Sequence, residues 1–371
     1  MTRAGSALTA LAVNHDAYDS EFDYICALLR ASPALVEVHM CFTDMDVLHA
    51  VTAYGDMAAV LAAGPQLREL RADVVCDTAL AVQLLERRPP LERVCLRSLT
   101  LPGVEYLRNR GHALPPGLMV LPPAFTAALA DARLQPCLTR LLLVDINFDA
   151  PGAADALADA VVARPRLSCL ILSNCALSPA TAPALARVLR GGALTHVRFS
   201  GRSHTVFLDA AGALTLGEAL RASSTLTSLT LAELPPLTAP IVTALLGALE
   251  GHRSLRKLRF CYATQPAHAG IGAALAALVA ADAPALEELS VPWCGLGEDM
   301  GLLCDALPYN HHLRELNIQF NRVPAGLMRD RLLPAVRANA SLRTLGAAHR
   351  YLVDEADMAA AREAEALVAA R

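Results

Sequence analysis

Residues 167–177 read Leu167-Ser-Cys-Leu170-Ile-Leu172-Ser-Asn-Cys175-Ala-Leu177, and the same spacing of apolar residues returns along the chain. Residues 286–296 carry it as Leu286-Glu-Glu-Leu289-Ser-Val291-Pro-Trp-Cys294-Gly-Leu296, and residues 313–323 as Leu313-Arg-Glu-Leu316-Asn-Ile318-Gln-Phe-Asn321-Arg-Val323. With the leading Leu as position 1, copies start at Leu8, Leu35, Leu67, Leu91, Leu138, Leu167, Leu194, Leu226, Leu255, Leu286, Leu313 and Leu342. Successive starts lie 27, 32, 24, 47, 29, 27, 32, 29, 31, 27 and 29 residues apart. A self-similar period of about 20–50 residues marks a stacked-repeat architecture. The 47-residue step suggests a decayed unit near Leu118–Leu121, amid Pro115, Pro116, Pro122 and Pro123, so 102–137 is expected to be an irregular unit or a loop.

Side chains alternate along a strand, so positions 4 and 6 should turn inward and positions 3, 5 and 7 outward. The pattern LxxLxLxx(N/C)xL resembles the leucine-rich-repeat family, and units of about 28 residues with a full helix are similar to its ribonuclease-inhibitor-like subtype. The resemblance implies an α/β leucine-rich-repeat solenoid, a horseshoe with parallel strands on the concave face and helices on the convex face. It also implies that Asn or Cys at position 9 turns inward to satisfy backbone groups of the turn leaving the strand. Cys175, Cys294 and Asn321 keep that residue type; Val75, Ile146 and Leu234 do not, and less regular turns are expected there. The chain reads as a single domain, 1–371, of about 12–13 units. Residues 1–34 would form an N-terminal capping unit and 351–371 a C-terminal capping helix packed through Leu367 and Val368.

Between the strands the sequence predicts helices. Ser178 followed by Pro179 fits an N-cap and a first-turn proline, with Gly191-Gly192 as the stop. Thr238-Ala239-Pro240 opens another helix that ends before Gly251, and the alanine-rich stretch 273–281 can pack closely on its neighbours.

Composition agrees with many small apolar units sharing one core. The 371 residues are 54% hydrophobic but only 4% aromatic and 18% charged, against about 25% charged in ordinary globular domains. The 32 basic and 36 acidic residues are scattered and sum to −4, which provides no basic field for nucleic acid. Ten cysteines form no CxxC pair; most sit in apolar runs, as reduced core thiols do. No apolar run reaches the ~18 residues that span a membrane. A monomeric, cytoplasmic protein without membrane contact is expected.

The motifs of catalysis and cofactor binding are missing. There is no GxxxxGK[ST], GxGxxG, HExxH or GxSxG, and His311-His312 lacks the spacing of a metal site. No cofactor and no enzymatic activity is expected. Stacked units align their outward positions into ladders. Position 8 then reads Tyr262, Trp293, Phe320 and His349 in four consecutive units, Trp293 being the only tryptophan. Arg259, Glu288, Asn317 and Gln319 stand beside them, with Lys257, Ser290 and Glu315 near. Aromatics flanked by charges and amides have the composition of a protein-binding hot spot. The same residues also fit an aromatic ladder that only covers the turns. The N-terminal outward positions, including Arg68, Glu69, Arg71, Asp73, Glu92, Arg93 and Arg97, read as a solvated charged face. The middle units, with Ser168, Ser173, Thr195, Thr227, Ser228 and Thr230, read as smooth and uncharged. The expected function is a non-catalytic module that binds a partner protein through its concave face. The alternative is a GTPase activator like the Ran activators, which share this repeat type, with Arg71 or Arg97 standing in for their exposed arginine.

Overall fold

The computed structural model describes residues 10–15, 37–42, 69–75, 78–86, 93–101, 119–201, 208–232, 239–261, 271–349 and 354–371. The chain divides into two compact units, Met1–Ala176 and Leu177–Arg371.

The first unit holds strands β1 (Ala10–His15), β2 (Glu37–Phe42), β3 (Glu69–Val75), β4 (Arg93–Leu101), β5 (Arg140–Val144) and β6 (Cys169–Cys175). They pair in parallel, in chain order. Helices α1 (Thr78–Leu85), α2 (Pro123–Ala130) and α3 (Ala153–Val162) follow β3, β4 and β5 in turn. The second unit holds β7 (His196–Gly201), β8 (Ser228–Ala232), β9 (Lys257–Cys261), β10 (Glu288–Ser290), β11 (Glu315–Asn317) and β12 (Thr344–Gly346), again parallel and in order. Its helices are α4 (Ala182–Gly191), α5 (Ala210–Ala222), α6 (Ala239–Gly247), α7 (Ile271–Ala280), α8 (Met300–Ala306), α9 (Leu333–Ala338) and α10 (Glu355–Ala369).

All twelve strands begin at position 3 of a sequence copy. Parallel pairing then aligns equal positions, as in Leu229↔Leu258 and Leu258↔Leu289. The leading leucines from Leu138 onward are at most 4% exposed, and so are positions 4 and 6 apart from Leu345. Phe199 and Phe260, both at position 6, are fully buried and among the largest core side chains. Truncating one such Leu costs about 2–5 kcal/mol, so the motif is first of all a core specification.

The irregular step has a structural cause. β4 follows the Leu91 frame where it meets β3, with Glu69↔Arg93 and Ala72↔Leu96. The register then shifts and Asp73 pairs with Ser98, leaving Arg97 as the extra residue of a bulge. Against β5 the strand follows a second frame, Leu96-Arg-Ser-Leu99-Thr-Leu101, with Ser98↔Arg140. Of the expected irregular segment, 102–118 lies outside the described residues. Residues 119–137 are not a bare loop: Met119 bridges Ile146, and α2 buries Phe125 and Leu129.

Several local expectations change. Ser178 offers no side-chain cap; Pro179–Thr181 makes a 3-10 turn, and Thr181 donates its hydroxyl to the Ser178 carbonyl at 2.7 Å. Gly191 is the last helical residue of α4 and Gly192 is extended, so neither forms a left-handed stop. Thr238 lies outside the described residues. In α10 the buried side is Asp357, Ala360, Ala361, Ala364 and Val368, while Leu367 is half-buried. Alanines serve because helices approach closely. A Cβ on Gly272 of α7 would lie 2.2 Å from Asp299 Cβ in the next unit.

Candidate functional site

The ends of β5, β6, β10 and β11 are shaped by position 8. Asp145, Asn174, Trp293 and Phe320 all occupy it, with φ of 57°, 52°, 59° and 61°. This left-handed conformation turns the chain sharply out of the sheet. Asn and Asp adopt it readily, bulky residues rarely. The polar pair joins directly, Asn174 Nδ2 donating to Asp145 Oδ1. The aromatic pair stacks, with Trp293 and Phe320 ring centroids 4.7 Å apart and 8° from parallel. Phe320 also meets the His349 ring at 5.4 Å and 42°.

Position 9 behaves as the repeat requires. Asn321 is 1% exposed; its Nδ2 donates to the Val291 and Ile318 carbonyls, both at 2.8 Å, and its Oδ1 accepts from the Cys294 amide at 2.9 Å. The Cys294 thiol reaches the Phe260 carbonyl at 3.1 Å, and the Cys175 thiol the Leu143 carbonyl at 3.5 Å. Where Ile146 replaces the polar residue, backbone pairing continues past the strand through Asn147↔Ala176.

The proposed contact residues fall into different environments. Tyr262 lies outside the described residues. Trp293 is 42% exposed and Phe320 half-buried. His349 is 7% exposed, so it packs against Phe320 rather than offering a contact surface. Burial pushes its pKa below the usual histidine value, opposed by a backbone hydrogen bond at Asn321. Gln319 spends its amide on the Ala348 carbonyl at 3.0 Å, and Asn317 Oδ1 accepts from the Gln319 backbone at 3.0 Å. Glu288 forms an ion pair with Lys257 at 2.7 Å, whose ammonium is held above its usual pKa by that hydrogen bond. Arg259 is exposed on β9. Parallel register places Arg259, Ser290 and Asn317 in one row and Lys257, Glu288 and Glu315 in another.

Two features escaped the sequence reading. The middle face is not uncharged, because β7 carries His196 and Arg198 at positions 3 and 5, aligned with Ser228 and Thr230. The other is a polar ladder three residues before the leading Leu. It runs through Gln135 and Arg164 in the first unit and His252, Asn310 and Asn339 in the second, all at most 7% exposed. Each binds a carbonyl at or near the end of the preceding unit's helix. Gln135 donates to Leu84 O at 2.8 Å, Asn310 to Val279 O at 2.9 Å and Asn339 to Leu307 O at 2.7 Å; His252 lies 3.0 Å from Leu220 O. Arg164 reaches the Ala128, Leu129, Asp131 and Gln135 carbonyls, and burial lowers its pKa. Helix ends leave such carbonyls unbonded. The signal was visible as a recurring polar residue at a fixed offset.

Among the described residues, no group of three His, Cys, Asp or Glu could hold a metal ion. His311 is exposed, and His312 is half-buried with Nδ1 2.9 Å from Asp282 Oδ1. The Cys304 thiol is pushed up to about 12 by burial, the reverse of an activated nucleophile. Arg71 and Arg97 lie on described strands, but their side chains are outside the described set. Among the described residues no helix is long and apolar enough to cross a membrane.

No family model matches the chain, and no curated protein matches it in sequence. Solved structures give loose likenesses. Leiomodin-1 actin-binding site 2 is 12% identical, with TM-score 0.27, covering 46% of this chain and 79% of that one. The Rad7 and Elc1 complex of yeast gives 12% identity and TM-score 0.41, covering 88% and 80%. An internalin of Listeria monocytogenes gives 11% identity and TM-score 0.36, covering 95% and 85%. In each unit the strand register, core and turns are those of an α/β leucine-rich-repeat solenoid.

Proposed function

We propose that the chain is a non-catalytic protein-binding module whose partner contacts the outward face of β9–β12, with Trp293 and Phe320 at its edge. The observation that supports this reading is Trp293 itself. The single tryptophan sits in a left-handed position that suits Asn or Gly, at a cost of about 1–2 kcal/mol, and still leaves 42% of its surface open. A ring kept exposed against backbone preference fits a contact anchor, and Trp is enriched among such anchors. Lys257, Arg259 and Glu315 add a polar rim.

A photo-crosslinking phenylalanine analogue placed at 293, and at Leu302 on α8 as a control, tests the face. Leu302 is 45% exposed. Discrete adducts from 293 and none from 302 are expected in lysate. Adducts only from 302, or equal yields from both, would refute the assignment.

A further inference from the structure

We infer that the outward face of β7–β9 binds a short acidic peptide segment of the partner, an inference that rests on the protein-binding reading above. Register aligns His196, Ser228 and Lys257 in one row and Arg198, Thr230 and Arg259 in the next. Four basic side chains and two hydroxyls thus share a patch three strands wide, and no carboxylate stands at these positions. Adjacent strands are ~4.8 Å apart, so the backbones of Arg198 and Arg259 are separated by ~9.6 Å, within reach of one ligand for two long side chains.

The cations are not equivalent. Lys257 is paired with Glu288. Among the described residues neither Arg198 nor Arg259 has an ion-pair partner. Arg198 is half-buried with its Nε buried and unbonded. Arginine forks match carboxylates two bonds at a time. In an extended peptide, residues i and i+2 project to the same side about 6.6 Å apart, a span that two arginine arms can bracket.

A long polyanion fits less well. The row through Lys257 continues into Glu288 and Glu315 on β10 and β11, which repel further negative charge, and the chain carries a net charge of −4. The patch is basic over three strands and acidic immediately beyond. This favours a few carboxylates ending at β9, not nucleic acid tracking along the sheet.

The test is fluorescence anisotropy on the full chain with a labelled hexaglutamate peptide, its hexaglutamine counterpart and a single-stranded oligothymidylate of equal charge. Hexaglutamate is expected to bind, more weakly as salt rises, and hexaglutamine not to bind. Arg198→Gln with Arg259→Gln should weaken binding by at least about tenfold, the scale of one charge-assisted hydrogen bond. The exposed Arg259→Glu alone should do the same without threatening the fold, and Leu302→Ala on α8 should leave hexaglutamate binding unchanged. Equal binding of hexaglutamine, no effect of Arg259→Glu, or tighter binding of the oligonucleotide would overturn the inference. If hexaglutamate fails while position 293 still crosslinks a partner, only the acidic-segment inference falls. If hexaglutamate binds and position 293 is silent, the aromatic edge falls instead.

Discussion

The indole of Trp293 lies flat on the ring of Phe320, centroids 4.7 Å apart, although both residues hold left-handed backbone. Stacking contributes about 0.5–1.5 kcal/mol, comparable to the backbone cost at one of the two positions. Replacing Trp293 by Gly removes both together. Trp293→Gly should therefore shift stability by less than about 1 kcal/mol in urea unfolding, whereas Phe320→Ala, at a half-buried site, should destabilise clearly more. A loss of several kcal/mol in Trp293→Gly would make the ring a structural element first.

The buried amide of Asn339 joins two turns. It donates to Leu307 O at 2.7 Å and Asn310 O at 2.8 Å, and its oxygen accepts from the Ser341 and Leu342 amides at 3.0 and 2.9 Å. Asn339→Ala leaves those groups unbonded in a dry site. A loss of about 2–4 kcal/mol is expected, read from the denaturation midpoint at unchanged slope. Asn339→Asp, which keeps only the acceptor, should not rescue it.

Gly272→Ala places a methyl 2.2 Å from Asp299 Cβ and 2.9 Å from its carbonyl carbon, whereas a Cβ at Gly247 meets nothing nearer than 3.7 Å. The first substitution should cost about 1–3 kcal/mol by overpacking. The second should be neutral or slightly stabilising through helix propensity. Thermal melts of the two variants side by side separate these outcomes.

Acid should loosen the aromatic edge through His349. Its folded pKa is depressed below 6.5 by burial, so the folded state holds the neutral ring. The unfolded chain then binds more protons between the two pKa values, and stability falls as pH drops. The contribution is present above about pH 6.5 and is lost as pH falls through the folded value. Urea midpoints taken downward from neutral pH should decline more steeply for the native chain than for His349→Gln. Parallel curves would assign the acid sensitivity elsewhere.

Much of the fold was legible because the leucine spacing encodes a core that the sheet register repeats, and Leu258 on Leu289 is the same relation as Leu289 on Leu316. The inward role of Asn321 was legible for the same reason. What escaped was set by neighbours rather than by spacing. Leu96 ends one frame and opens the next, and only the pairing of β4 with β3 on one side and β5 on the other reveals the bulge. His349 reads as an outward aromatic at position 8, yet it is 7% exposed, a burial that the spacing alone does not carry. Arg198 is masked by its surroundings, because Thr195, Thr227, Ser228 and Thr230 dominate the outward positions near it. The polar ladder lies outside the motif, three residues before its leading Leu, and mixes Gln, Arg, His and Asn, so no one residue type marks it.

That ladder has a consequence for how such a chain can change length. The link from Asn310 back to Val279 O spans 31 residues and the link from Asn339 back to Leu307 O spans 32. Both clasps use an Asn side-chain amide that reaches back to a carbonyl at or near the end of the preceding helix. Excision or duplication of one whole period, cut at equivalent points, restores every clasp with a new neighbour. A cut of half a period strands a buried amide at the join. The molecule is thus quantised in its permitted lengths, and the unit of change is set by buried asparagines as much as by leucines.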